Sequence, residues 1–127
     1  MRKIKFRGKS IKTDEWHYGS LLTNNTDWAC ITDTLPNNEV NPDTVSQFTG
    51  VCDCDGKEIY EGDIFTMTHG YPKNITFVVK YYGTAFLATP SNVNYRSYTV
   101  DHFKNDCKVV GNVYDNPELL NAMQESA

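Results

Sequence analysis

Short segments in which apolar and polar residues alternate run along most of the chain. The first of them sets Ile4 and Phe6 between Lys3, Lys5 and Arg7. This two-residue period predicts a half-buried strand with a basic outer face. A second apolar segment follows a short polar turn, and it predicts the returning strand of an N-terminal β-hairpin.

The same reasoning extends to the end of the chain. Further strands are predicted at residues 28–32, 51–60 (a hairpin around Asp55-Gly56), 64–68, 75–82, 84–88, 98–103 and 108–114. Residues 33–42 carry two prolines and are predicted to form a loop. Pro42 is placed to begin one helical turn, and Asn116 is placed to cap a helix that starts at Pro117.

These elements predict a mainly β protein with short helical turns only. The aromatic content of 13% favours strands and supplies a core. A Gly-Asp-Ile-Phe start, a long hairpin and a closing strand predict a small SH3-like barrel over about residues 51–115, by analogy. A β-hairpin part over about residues 1–50 precedes it. We therefore expect one domain over residues 1–120 and a frayed tail over residues 121–127.

The charge is distributed unevenly. The first twelve positions hold six of the twelve basic residues and no acid, which leaves six basic and sixteen acidic residues elsewhere. A net charge of −4 argues against a general affinity for nucleic acid, but the basic N-terminus keeps a local one open. No apolar run suits a membrane span or a signal peptide. The expected location is the cytoplasm.

The cysteines and one histidine supply the candidate metal ligands. Cys52, Cys54, His102 and Cys107 are four residues of types that bind zinc tetrahedrally. A Cys-x-Cys in a strand directs both thiols to one face, although this spacing differs from the usual zinc knuckle. Free thiols are the favoured interpretation in a reducing cytoplasm, with a zinc site and a disulfide as the alternatives.

The acidic residues of the central segment are weighed as reagents and as turn residues. Asp53, Asp55 and Gly56 resemble part of a calcium loop, but Val51 and Gly62 stand where acidic ligands are needed. The cluster Glu58, Glu61 and Asp63 could act in acid–base chemistry, yet its position beside Gly62 favours turn capping. No nucleophile elbow, phosphate loop or dinucleotide fingerprint occurs, so no catalytic residue and no cofactor is predicted.

The N-terminal hairpin carries a candidate nucleic-acid site. Lys3, Lys5 and Arg7 share one face and could contact phosphates, while Trp16 could stack on a base. Tyr18 and Trp28 would extend the stacking surface. The favoured alternative is structural, because lysine and arginine protect exposed strand edges and aromatic residues fill small β cores.

Three segments carry a family resemblance: the N-terminal MRKIKFRGKSIKTDEWHYGSL, the central TGV and DGKEIYEGDIF run, and the closing VVGNVYDNPELL. Together they resemble the YopX family of bacteriophage and prophage proteins, over Met1 to Leu120. The resemblance implies a phage origin and a fold, and no catalytic residues. We expect a non-enzymatic accessory protein that binds another protein or forms a homo-oligomer. A nucleic-acid-binding module is the alternative.

Overall fold

The structure, a computed structural model, describes residues 2–33, 38–68, 75–91 and 95–120. The predicted frayed tail lies outside these ranges. Within them the chain is mainly β, as predicted, with two 3-10 turns and one short helix over residues 117–120. None of the helices described there combines the length and the apolar composition that crossing a bilayer requires.

Twelve strands, named β1 to β12, follow one another along the described ranges. They lie, in chain order, at Phe6–Lys9, Trp16–Gly19, Leu21–Thr23, Ala29–Ile31, Glu39–Val40, Ser46–Cys52, Glu58–Tyr60, Asp63–Met67, Thr76–Tyr82, Ala85–Pro90, Tyr98–Thr99 and Cys107–Asn112. The chain divides into two compact units, Met1–Phe48 and Thr49–Ala127, so the boundary falls within β6. The prediction of a single domain over residues 1–120 stays a prediction.

In the first unit, β1 and β2 form the predicted N-terminal hairpin. Arg7 lies opposite Tyr18 and Lys9 lies opposite Trp16, so these four side chains share one face. The strands β3, β4 and β5 form a second antiparallel sheet. A small core joins them: Ala29, Ile31 and Val40, with Phe6, Leu21 and Val45 packed against it.

In the second unit, five strands form one antiparallel sheet in the order β11-β10-β9-β8-β12. The edge strands β11 and β12 do not pair with each other in the described ranges, so no closed barrel is present there. The SH3-like barrel therefore stays a prediction, while the mainly β class is confirmed.

Aromatic side chains fill the core on one face of this sheet. The Phe65 and Phe77 rings stack with centroids 5.2 Å apart, and Phe103 lies 4.9 Å from Phe77. On the opposite face, two buried residues are covered by the C-terminal segment: Ile64 and Val78, under Val113, Leu119 and Leu120. Both faces of the sheet are thus apolar near β8 and the start of β9.

Two local predictions were wrong. The predicted loop over residues 33–42 contains β5, a strand too short to show any alternation; residues 34–37 of that loop lie outside the described ranges. The predicted strand over residues 98–103 is a strand only at Tyr98–Thr99, and Val100–Phe103 forms a 3-10 turn. Val100 and Phe103 are both buried, which fits the three-residue period of a 3-10 helix better than the period of a strand.

Candidate functional site

The central signature segment folds as a turn organised by one carboxylate. Asp53 lies after β6 with 6% of its surface exposed. Its Oδ1 accepts hydrogen bonds from the backbone N–H groups of Asp55 and Lys57, both at 2.9 Å. Its Oδ2 accepts one from the N–H of Val109 in β12, at 3.0 Å. The side chain thus closes its own turn and joins it to a strand far along the chain.

These contacts fix the charge state of Asp53. Burial by itself raises the pKa of this carboxyl. The three backbone donors and the nearby Lys57 ammonium outweigh burial and hold the pKa of Asp53 below its usual range. Asp53 is therefore an ionised turn cap at neutral pH, with its acceptor positions directed at the backbone.

The closing signature segment forms a second turn on β12. Asn112 Oδ1 accepts from the N–H groups of Tyr114 and Asp115, at 3.0 and 2.9 Å. Asn116 Oδ1 accepts from the N–H of Asn112 at 3.1 Å. The Asn116 side chain therefore turns back to β12, whereas its predicted role was to cap the helix that follows. Its backbone carbonyl accepts from the Leu119 N–H at 3.0 Å instead.

Together the two turns cover the outer edge of β12. Cys54 N–H donates to the Cys107 carbonyl at 2.9 Å, in addition to the Asp53 contact with Val109. The Asn116 side chain accepts from the N–H of Asn112, which lies three residues after Val109 in the same strand. An exposed strand edge can pair with other chains, and such side-chain caps block it. The two signature segments therefore act as scaffolding for a sheet edge.

The candidate acid–base cluster is also engaged in local structure. Asp63 is buried, and its Oδ2 accepts from the Tyr60 backbone N–H at 2.8 Å. The Tyr60 hydroxyl donates to Glu58 Oε1 at 3.0 Å. Glu61 lies between Tyr60 and Gly62 in the chain. The φ of Gly62 is +89°, the left-handed conformation that the turn requires. The arrangement fits the turn-capping interpretation.

The candidate zinc ligands occupy different environments. Cys52 and Cys54 are exposed, whereas Cys107 is buried in the aromatic core. Burial, with the charges of Asp53 and its neighbours, raises the pKa of Cys107 to about 12, so this thiol keeps its proton at neutral pH. The His102 ring stacks on Tyr98 with centroids 4.4 Å apart.

Across the described residues, no group of three or more His, Cys, Asp or Glu side chains is arranged to hold a metal ion. The structure brings Cys54 and Cys107 together through a backbone hydrogen bond and leaves all four cysteines as thiols. Zinc binding by Cys52, Cys54, His102 and Cys107 stays a prediction, which elemental analysis of the purified protein would test.

The predicted basic strand begins only at Phe6, so Lys3 and Lys5 precede β1, and its basic face is only partly exposed. Lys3 is exposed and Lys5 is half-buried, but Arg7 is 4% exposed and its guanidinium lies 4.5 Å from the centre of the Trp16 ring. The Lys9 ammonium lies 5.6 Å from the same ring. The prediction of an exposed Arg7 was wrong, because stacking on Trp16 draws the side chain into the fold. Nucleic-acid binding by Lys3, Lys5, Arg7 and Trp16 stays a prediction.

A groove of about 450 Å³ lies in the first unit, beside the turn of this hairpin. Its lining carries charges of both signs, including Lys12, Asp27 and Glu39. The Lys9 ammonium pairs with Asp14 at 3.4 Å. Hydrogen bonds from Asn24 and Thr26 hold the pKa of Asp27 below its usual range. The groove is open and charged, so it fits a water-filled surface depression better than an enclosed catalytic site.

Among the described residues, the most exposed aromatic side chains lie at the tip of the β9–β10 hairpin, and they were not predicted as a site from the sequence. Tyr81 is 55% exposed and Tyr82 is 75% exposed. The Tyr81 ring contacts Phe86 with centroids 5.1 Å apart, on the face that leads to the core. Tyr82 points to the other face by alternation. The signal in the sequence was the consecutive pair of tyrosines directly before the turn glycine.

Gly83 shapes this tip. Tyr82 lies opposite Ala85, so the loop consists of two residues, and the φ of Gly83 is +66°. Thr84, the second central residue, does not have a positive φ, so the turn is type II′ and not type I′, and it matches the twist of the flanking strands. A tight turn therefore presents two tyrosines to solvent.

The fold and these turns define a small mainly β protein whose signature residues cap turns and a sheet edge. A family model described as YopX protein matches residues 5–121. The chain belongs to the YopX family. No curated protein matches it.

A solved structure shares the fold. It is the crystal structure of protein EF1440 from Enterococcus faecalis, with a TM-score of 0.57 and 22% sequence identity. The match covers 94% of this chain and 99% of the EF1440 chain. At this identity the similarity concerns the fold.

Proposed function

We propose that this chain is a non-enzymatic accessory protein, of bacteriophage or prophage origin, that acts by binding another protein or a second copy of itself. Its place of action is the cytoplasm of the bacterial host. The observation that carries the proposal is the β9–β10 tip, where Tyr81 and Tyr82 are more than half exposed. Tyrosines are enriched among the residues that dominate binding energies at protein interfaces.

The rest of the second unit supports a binding role over a catalytic one. The carboxylates of Asp53 and Asp63 accept backbone hydrogen bonds inside turns. A general acid or base must instead direct a titrating group at a substrate. The tip differs from such a site, because a tight turn there exposes aromatic rings. Lys80 is the single charged residue of β9 and β10.

Partner capture with a matched pair of variants tests the proposal. Tyr81→Ser with Tyr82→Ser removes both exposed rings, and Tyr18→Ser removes a 43% exposed tyrosine from the other unit. Because one interface anchor contributes about 2 kcal/mol, the tip variant should bind a captured partner, or itself, roughly 30-fold more weakly. The Tyr18→Ser control should bind normally. Unchanged binding by the tip variant would refute the proposal.

A nucleic-acid-binding module is the second candidate. The observation that favours it is the row of cations and aromatic rings on the first hairpin. The Lys5 ammonium lies 5.8 Å from the Tyr18 ring centre, next to the Arg7 and Trp16 pair. Rings and cations in alternation suit single strands, in which bases stack and phosphates follow a basic groove. Binding that weakens with added salt would distinguish this candidate from a protein-binding role.

A further inference from the structure

The β9 strand has an open edge next to the aromatic tip. In a hairpin with a two-residue loop, the residues that flank the loop, here Tyr82 and Ala85, bond to each other. Backbone groups alternate in direction, so those of Val79 and Tyr81 face away from β10. The Gly62 N–H donates to the Val79 carbonyl at 2.9 Å, which confirms the direction for Val79.

Beyond that bond the edge has no neighbour in the part of the chain that the structure describes. β8 pairs with β9 only at Thr76, Phe77 and Val78. The N–H and C=O of Tyr81 therefore point to solvent from a ribbon of two strands. Such an edge is a template for a further strand, and in the described ranges no turn caps it in the way that two turns cap β12.

We propose that a second copy of this chain pairs with this edge, antiparallel and centred on Tyr81. The two Tyr81 residues would exchange two N–H···O bonds across a two-fold axis. On one face their rings would meet, and on the other face Lys80 would lie opposite Tyr82 of the second copy. This inference rests on the proposed function and names the partner and the contact.

The residues of the edge favour a second copy over an unrelated strand. In an antiparallel pair centred on Tyr81, each Lys80 ammonium faces the Tyr82 ring of the other copy, and a cation over an aromatic ring attracts it. The same pairing keeps the two lysines apart, on opposite sides of the axis. A two-fold axis requires a self-complementary patch, and the sequence Lys80-Tyr81-Tyr82 meets that requirement.

The contact is small, so the dimer should be weak. Two hairpin tips bury less than the roughly 1,200 Å² per complex at which stable interfaces begin. We expect a dissociation constant of about 10 to 1,000 μM, which is typical of transient contacts. Sedimentation velocity over a hundredfold concentration range would show a reversible monomer–dimer equilibrium.

A pair of variants at one position tests the backbone contact. Tyr81→Ala removes the ring and keeps the N–H, whereas Tyr81→Pro removes the N–H as well. Since the dimer would lose two hydrogen bonds, the Pro variant should dimerise about 30-fold more weakly than the Ala variant. The N–H of Tyr81 takes no part in the hairpin, so both variants should keep the circular dichroism of the parent.

Hydrogen exchange on the parent protein gives a readout that needs no variant. The Tyr81 amide should exchange more slowly as the protein concentration rises, while the Gly56 amide, which bonds to the Asp53 carbonyl within its own turn, serves as an internal reference. Equal dimerisation of the Pro and Ala variants, or Tyr81 exchange that ignores concentration, would overturn the inference. A strict monomer that captures a different protein through Tyr81 and Tyr82 would also overturn it, but would leave the proposed function standing.

Discussion

Asp53 shows how one side chain can hold together residues that are distant in sequence. Its carboxylate closes the turn that follows β6 and also accepts from Val109. Asp53→Asn keeps the shape but replaces one oxygen with an N–H₂ group that faces a donor. Leaving a buried backbone N–H unsatisfied costs about 2 kcal/mol. We expect urea denaturation at pH 7 to report a loss of that size in the free energy of unfolding.

The variant Asp55→Asn provides the control. The pH dependence of the free energy of unfolding provides a second test. Asp55 lies in the same turn, is exposed, and has its carboxylate 3.9 Å from the exposed Lys108 ammonium, so Asp55→Asn should change stability by less than about 0.5 kcal/mol. Because folding lowers the pKa of Asp53, its stabilisation is present above the unfolded value near 3.9 and is lost as the pH falls through the folded value. The difference between the parent and Asp53→Asn should therefore shrink in acid, and a pH-independent difference would contradict the assigned role.

Asp53 and Arg7 show what the sequence could and could not predict about single residues. Asp53 was predicted to be a turn residue from its position before Asp55-Gly56, and that is correct. Its bond to Val109 depends on a tertiary contact between residues far apart in the chain, which no local pattern contains. Arg7 was predicted to be exposed by alternation with Phe6. Its side chain is buried with the guanidinium over the Trp16 ring, a cross-strand contact that alternation along one strand does not reveal.

At the scale of elements, the end of β12 depends on contact between Gly111 and Asn116. A Cβ added to Gly111 would overlap the Asn116 carboxamide. Gly111→Ala should therefore cost about 2 kcal/mol by overpacking. Asn116→Ala should cost about 1 kcal/mol, since it removes the acceptor of the Asn112 N–H. Thermal or urea unfolding of each single variant measures both values.

The double variant decides whether the two residues act as one unit. Asn116→Ala removes the carboxamide that an alanine at position 111 would overlap and keeps only the Cβ of residue 116, 3.1 Å from the added Cβ, so the double variant should be about as stable as Asn116→Ala alone. The interaction energy from the cycle should be about 2 kcal/mol. Additive losses would show that the cost of Gly111→Ala arises elsewhere and that Asn116 does not cap this edge. Because the φ of Gly111 lies outside the left-handed region, the alanine adds no backbone strain to the comparison.

Longer strand-forming segments made most elements predictable, and the shortest ones did not. The β9–β10 hairpin was predicted from the strand-forming run over residues 75–82 and from Gly83 at the turn. β5 has two residues and no period of its own, and it exists because it pairs with β4. The tip tyrosines were overlooked as a site because tyrosine is also an ordinary core residue in small β proteins. Their exposure depends on where β8 ends, which only the fold determines.

At the scale of the whole molecule, the segregation of charge limits what the chain can bind. The chain as a whole carries −4, while the first twelve residues hold six basic groups and no acid. Several of these cations are engaged with the first hairpin: Lys5 with Tyr18, Arg7 with Trp16, and Lys9 with Asp14. Arg2, Lys3 and Lys12 are exposed. The phosphate contacts available to a nucleic acid are therefore fewer than the sequence implies.

The number of exposed N-terminal cations sets the salt dependence expected for the nucleic-acid alternative. Each phosphate contact contributes about −0.9 to the slope of log K against log salt on duplex DNA, so a site limited to the three exposed cations of the first twelve residues gives a slope no steeper than about −3. Replacing Lys3 and Lys12 with Glu should abolish a gel shift at low salt. Arg7 is the wrong position for this test, because a glutamate in its buried place would unfold the hairpin. The matched control exchanges the exposed Arg96 and Lys104 for Glu, which makes the same charge change in the second unit. Equal loss in both variants would indicate that net charge alone governs the interaction, and no shift with the parent would eliminate the module.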